Sequence, residues 1–215
     1  MLSETRKRED LIWVCQQLEK QGLVAASDGN VSCRVGSQRL LITPSGMRKG
    51  ELKPLDLVLI DLNDGNVLAG RGRASSEMRM HLLVYHKRAD VEAVVHAHPP
   101  LLTAFTLAGI PFAADVLPEV WLTIGPVPTA PYATPSTGEL PEALSPFIEC
   151  SQAILMERHG SLTLGSSLKE AYMRLEKLEH AAHTLLYSYL LQGRFPEPLS
   201  EMALARLAAI LKKKR

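Results

Sequence analysis

Apolar residues recur along the chain with two different periods. Leu11, Val14, Cys15 and Leu18 fall at i, i+3, i+4 and i+7, the spacing of one helix face, and Gly22 supplies a stop. Short apolar runs follow at Val31 to Val35, Arg39 to Thr43 and Leu57 to Asp61. Gly36-Ser37 and Asn63-Asp64-Gly65-Asn66 separate them, so they are expected to pair as hairpins. A helix is expected from about Ser76 to Lys87, then a β-branched strand from Val91 to His96. Leu101 to Ala108 reads as a short helix stopped by Gly109 and Pro111. Trp121 to Ile124 and Pro128 to Ala130 read as strand pieces broken by Gly125-Pro126. Ser136 or Thr137 is placed to cap a helix running to about Cys150. Ala153 to Met156 and Leu162 to Leu164 form a strand pair around a His159-Gly160 corner. Leu168 to Leu191 is the most strongly helical stretch, and a last helix covers Ser200 to Lys213. The order of elements predicts one α/β domain over residues 1–215, with a central, mostly antiparallel sheet flanked by helices.

Composition narrows the classes without choosing a chemistry. A chain of 215 residues, 46% hydrophobic and 22% charged, fills one globular core. The formal net charge of +1 offers no field for a polyanion. Two basic clusters, Arg6-Lys7-Arg8 and Lys212 to Arg215, carry no interleaved aromatics and read as solvated helix ends, not a nucleic-acid surface. The charged start lacks a signal peptide's apolar stretch, and no window approaches the roughly 18 apolar residues of a membrane span. Cys15, Cys33 and Cys150 are scattered and odd in number, which argues against a disulfide framework, and Cys15 is expected as a buried thiol. These features together predict a cytoplasmic protein.

Five short segments carry candidate chemistry. In His96-Ala97-His98, at the end of a strand, residues i and i+2 share a face, so both rings can reach one point. Two imidazoles make an incomplete metal site, or a hydrogen-bonded pair. Arg158-His159-Gly160 follows another strand and supplies a candidate third ligand, with Gly160 permitting the turn. Ser75-Ser76-Glu77 opens a helix: the serines can cap it and Glu77 suits its dipole, or the free amides can hold a phosphate with Glu77 as ligand or base. His81, one turn after Glu77, reads as a supporting or core residue. Gly29-Asn30-Val31-Ser32 and Thr43-Pro44-Ser45-Gly46 bracket the first hairpin, where turn amides can form an anion nest or simply turns.

In this order the five segments resemble the class II aldolase/adducin family, from about Leu11 to Leu191. The resemblance implies a three-layer α/β fold and a zinc ion, one per chain, on His96, His98 and His159, with manganese or cobalt as alternatives. It also implies a phosphate pocket of Gly29, Asn30, Ser45, Gly46, Ser75 and Ser76, with Glu77 as catalytic acid/base. The implied reaction cleaves a ketose 1-phosphate, L-fuculose 1-phosphate or a 5-deoxypentulose 1-phosphate, to dihydroxyacetone phosphate and an aldehyde. Breaking that bond leaves a carbanion, whose charge a metal would offset. A homotetramer acting on a small sugar phosphate is implied as well.

Family tyrosines that handle the aldehyde have no counterpart here: none lies between Tyr85 and Tyr132 and none follows Tyr189. Val116, Leu117, Val120 and Trp121 stand in that region instead and are expected to present an apolar wall, while Glu119 reads as an exposed loop acid. A sugar-phosphate 4-epimerase would need the same metal and phosphate pocket. A non-catalytic adducin-like binding module would not need the three histidines and Glu77.

Overall fold

The computed structural model describes residues 3–213, with side chains through 210. The basic cluster Lys212 to Arg215 therefore lies outside the described side chains. Strands β1 (Asn30–Val35), β2 (Arg39–Ile42), β3 (Val58–Asp61), β4 (Val67–Ala69), β5 (Ala93–Ala97), β6 (Thr129–Ala130), β7 (Ala153–Met156) and β8 (Gly160–Gly165) form one sheet. Their order is β4-β3-β2-β1-β5-β8-β7-β6, and every pair is antiparallel except β6 with β7.

Both faces of the sheet are covered. Helices α1 (Glu4–Lys20), α3 (Pro100–Leu107) and α6 (Leu168–Gln192) pack Leu11, Leu18, Phe105, Leu175 and Leu178 with Val31, Val95 and Ala97. On the opposite face, α2 (Met78–Lys87) and α5 (Glu139–Leu144) bring Met80, Val84, Leu140 and Leu144 onto Leu40, Ile60, Val94 and Leu162. Val94 and Val95 thus enter different cores, which is why the central strands read as continuous apolar runs instead of alternating ones. The result is the three-layer, mostly antiparallel α/β architecture that was expected. Ser3 and Ser167 cap α1 and α6 by accepting from Arg6 N and Glu170 N, and Gly193 closes α6 in the left-handed region at φ 72°.

Four local expectations change. Trp121 to Ile124 is not strand but part of helix α4 (Pro118–Thr123) and its cap. Pro118 opens that helix, and Leu117, Val120, Trp121 and Ile124 sit at helical spacing, with Val120 and Ile124 buried. The helix expected to reach Cys150 stops at Leu144, because Pro146 lacks the amide needed to continue it; the Thr137 hydroxyl accepts from Glu139 N at its start. Edge strand β4 was not anticipated, since all three of its residues are exposed and show no pattern. Arg6-Lys7-Arg8 is only partly a solvated end. Lys7 Nζ donates to Arg34 O, and Arg8 Nη1 donates to Pro54 O and Leu57 O, fastening α1 to the sheet. The last helix, α7 (Glu201–Lys213), falls where expected. Among the described residues no helix is long and apolar enough to cross a membrane.

Candidate active site

Three neighbouring central strands bring the chemistry to one end of the sheet. In register, Asn30 at the start of β1 faces His96 on β5, and Ala97 faces Ser161 on β8. His96 is the last but one residue of β5 and faces the α2 side, His98 comes directly after the strand, and His159 lies in the turn before β8. Two glycines permit this crowding. A Cβ on Gly29, whose φ is +73°, would stand 2.8 Å from His96 O and 2.7 Å from Val24 Cγ1. Gly160 has a different role from the one expected. The left-handed residue of its turn is Arg158, at φ 58°. Gly160 is required instead because a Cβ there would collide with Ala97 O and lie 2.9 Å from His98 Cδ2.

One coordinating nitrogen from each of His96, His98 and His159 lies within 4.8 Å of the others. His96 Nδ1–H donates to Ser161 O at 2.9 Å, which leaves the lone pair of Nε2 facing the centre. His98 Nε2 is 3.0 Å from that atom. Burial, with His96 and His159 alongside, pushes the His98 pKa down to about 4, so its ring is neutral at ordinary pH. Asp28 Oδ2 lies 3.5 Å from the outer His98 nitrogen. His159 Nδ1 is buried with no partner among the described residues. The donor set of three inward imidazoles and one carboxylate matches a four-coordinate divalent ion.

That carboxylate is Glu77, at the N-cap of α2. Its Oε2 is 3.1 Å from His96 Nε2 and its Oε1 is 3.2 Å from His159 Nε2. Asn30 Nδ2 donates to Oε2 at 2.8 Å, and the Ser75 hydroxyl accepts from Glu77 N at 3.3 Å. Burial alone would raise the Glu77 pKa. The neighbouring His96 and His159 rings and the hydrogen bond from Asn30 outweigh it and hold the carboxyl far below its usual range.

The expected phosphate residues gather beside Glu77. Ser75 N donates to Thr43 O and Ser45 N to Arg73 O, a short antiparallel bridge that lays Thr43-Pro44-Ser45-Gly46 against Ser75-Ser76. Ser45, Gly46 and Ser76 are exposed and Ser75 is buried. Gly29 belongs to the adjoining turn, joined through Thr43 Oγ1, which accepts from Val31 N. Asn30 is placed differently from the expectation: its carboxamide lies between Glu77 and His81, away from the exposed serines. Three participants were not assigned to this site from the sequence. Buried Lys49 ties the two turns together by donating to Ser27 O (2.8 Å) and Met47 O (2.9 Å). Ser136, at φ 63°, donates to Ser76 Oγ at 2.9 Å. Ser161 orients His96 through its carbonyl. No local pattern marks these residues, because each acts through a contact distant in sequence. The apolar wall is part of the core: Val120 is 2% exposed, and Val116 and Leu117 pack against the same cluster. Glu119 is exposed, as expected, but on α4.

Fully buried His81 gives a prediction about acid. Burial, then the nearby His96 ring, pushes its pKa from 6.5 down to about 3, while Glu77 pulls the other way. The folded state therefore prefers the neutral ring, and this contribution is complete above pH 6.5. Below that the unfolded chain takes up a proton that the folded one refuses, so stability falls as pH drops from 6.5 towards 3. Between pH 7.5 and 5 the loss from His81 is about 2 kcal/mol, and His98 adds to it in the same window. Urea unfolding of chelated protein should show this slope, and His81→Phe should flatten it. An equal slope in the variant removes His81 as the cause.

The fold and site define carbon–carbon lyases of the class II type, and the chain belongs to the Class II Aldolase and Adducin N-terminal domain family, whose model matches residues 9–186. It is 34% identical over 179 residues to the 5-deoxy-D-ribulose 1-phosphate aldolase of Bacillus thuringiensis, covering 82% of this chain and 83% of that one. It is 36% identical over 173 residues to the L-fuculose phosphate aldolase of Methanococcus maripaludis, covering 80% of this chain and 92% of the relative. A solved structure of L-fuculose 1-phosphate aldolase superposes with a TM-score of 0.88 at 30% identity, over 99% of this chain and 98% of that one.

Proposed function

We propose that the chain works as a single class II aldolase-type domain, 1–215, that cleaves a ketose 1-phosphate to dihydroxyacetone phosphate and an aldehyde. The observation that carries this reading is the Glu77 carboxylate, 3.1 and 3.2 Å from the inward nitrogens of His96 and His159, beside the bridged Ser45 and Ser75 turns. His96, His98 and His159 would hold one divalent ion, and three histidines with a carboxylate suit zinc better than magnesium or calcium. When bound, the ion supplies positive charge against the enediolate that cleavage produces.

The chain's own groups do the rest. The exposed Ser45, Gly46 and Ser76, with the buried Ser75 and the Gly29–Asn30 turn beside them, would receive the phosphate at the start of α2, where the helix dipole favours an anion. That remote handle aligns the C3–C4 bond with Glu77. As this bond breaks, the C4 hydroxyl passes its proton by way of water to the Glu77 carboxylate, and C3 takes one up. Glu77 delivers the proton to C3 and removes it in the reverse direction. The reading includes a cytoplasmic homotetramer.

Incubation with several ketose 1-phosphates and an assay for dihydroxyacetone phosphate tests the proposal. A 5-deoxypentulose 1-phosphate should exceed L-fuculose 1-phosphate in kcat/KM by about tenfold, the scale on which a site without partners for an extra hydroxyl discriminates. The absence of tyrosine between Tyr85 and Tyr132 supports that order. A preference for L-fuculose 1-phosphate overturns it. Conversion to a 4-epimer with no free aldehyde assigns the scaffold to epimerisation instead.

A further inference from the structure

Glu77 is one end of a buried polar chain between β1 and α2. Asn30 Nδ2 meets Glu77 Oε2 at 2.8 Å, and Asn30 Oδ1 meets His81 Nε2 at 2.5 Å. His81 Nδ1 then meets Ser32 Oγ at 2.7 Å, and Ser32 Oγ meets the Tyr85 hydroxyl at 2.9 Å. Asn30 and Ser32 are two residues apart on β1 and so share its α2 face, while His81 and Tyr85 are one turn apart on α2. All five residues are buried, with Ser32 and His81 at 0% exposure, so water cannot replace a missing partner. Arg34 anchors the far end: its guanidinium stacks 4.9 Å over the Tyr85 ring and donates to Tyr85 O and Val91 O.

Hydrogen-bonding capacity fixes the direction of this chain. An ionised Glu77 only accepts, so Asn30 must turn its amide nitrogen towards it. The Asn30 oxygen then faces His81, which must donate from Nε2. A neutral ring that donates from Nε2 has its lone pair on Nδ1, so Ser32 donates there and accepts in turn from Tyr85. Burial keeps the proton on Tyr85, whose pKa lies well above 10.0. The opposite His81 tautomer would press the Asn30 carbonyl oxygen against the Glu77 carboxylate, two acceptors in a dry site.

We infer that His81, Ser32 and Tyr85 are positioning residues: their one-way hydrogen-bond chain locks the Asn30 carboxamide with its nitrogen towards Glu77 and so holds that carboxylate between His96 and His159. A packing role for the same residues would be indifferent to direction. The inference rests on Glu77 being the proton carrier of the proposed aldolase, but its central claim, the His81 tautomer, is measurable whatever the enzyme cleaves.

Nitrogen-15 NMR of the histidine-labelled, zinc-loaded chain should show, beside His86, whose Nε2 faces Leu62 O, a neutral ring protonated at Nε2 that is identified as His81 by its loss in His81→Phe. Deuterium exchange into dihydroxyacetone phosphate supplies the second readout. His81→Phe, which keeps volume but removes both links, should lower kcat by roughly 10–100-fold, with KM moving less than about threefold. His81→Gln again offers an N–H to Asn30 and should recover most of that loss. Tyr85→Phe cuts only the outermost link and should cost about two- to fivefold. A His81 protonated at Nδ1, or a Phe variant as active as the Gln variant, overturns the inference. If His81→Phe does not fold, the wild-type tautomer and the effect of Tyr85→Phe decide the question. A wild type with no exchange counts against the aldolase reading, while the tautomer still decides the chain.

Discussion

Metal analysis of the purified protein is expected to find about one zinc per chain, and His159→Ala or His96→Ala to deplete it. The expectation follows from the lone pair of His96 Nε2, turned inwards by the Ser161 carbonyl, and from a His98 ring that needs no deprotonation at neutral pH. If a binding free energy on the order of 10 kcal/mol is shared among four donors, losing one weakens binding about a hundredfold. His98→Ala should be the mildest of the three, because His98 is the outermost ring, with a side chain 28% exposed against 0% for His96 and 8% for His159. Cleavage should follow occupancy, vanish on chelation and return with added zinc. Undiminished cleavage by exhaustively chelated protein would remove the metal from the mechanism and leave the three histidines without their assigned role.

How far the sequence led depended on how local each feature is. The β1–β2 hairpin and α6 were legible because turn residues and helical spacing are properties of neighbouring positions. Leu117 to Ile124 carried two signals, the short apolar run Val120-Trp121-Leu122 and an i, i+3, i+4, i+7 spacing, and burial of Val120 and Ile124 settled it as helix. Edge strand β4 has no buried face and so no signal. In the site, the inward convergence of His96, His98 and His159 was anticipated from strand ends and motif order. The partner of Asn30 was not, because the Asn30–Glu77 bond spans 47 positions. Its geometry exists only once β1 and α2 are packed. The same holds for Lys49, whose ammonium reaches back 22 positions to Ser27 O. Gly160 was singled out for the wrong reason, since a turn requirement can be read from a motif while a close approach to Ala97 and His98 cannot.

In Glu77→Gln, hydrogen exchange at the hydroxymethyl carbon of dihydroxyacetone phosphate should fall by roughly 10²–10⁴-fold, the usual cost of removing a general base. The substitution isolates proton transfer. A glutamine oxygen still accepts from Asn30 Nδ2, so the carboxamide keeps its place beside β1 and the buried chain behind it keeps its direction. The helix start keeps its bond from Glu77 N to the Ser75 hydroxyl, because the backbone is unchanged. Three imidazoles and the glutamine oxygen remain beside the ion, so with zinc supplied in excess metal content should stay near one per chain even as exchange collapses. The phosphate contacts are also untouched, so KM should change little and the loss should appear in kcat. The amide nitrogen replaces the oxygen now 3.2 Å from His159 Nε2, and circular dichroism melts at pH 7.5 would report any resulting loss of fold. Metal-replete, folded Glu77→Gln that exchanges at the wild-type rate would transfer the proton-carrying role to another group. Normal exchange with lost cleavage would instead confine Glu77 to the step at the aldehyde.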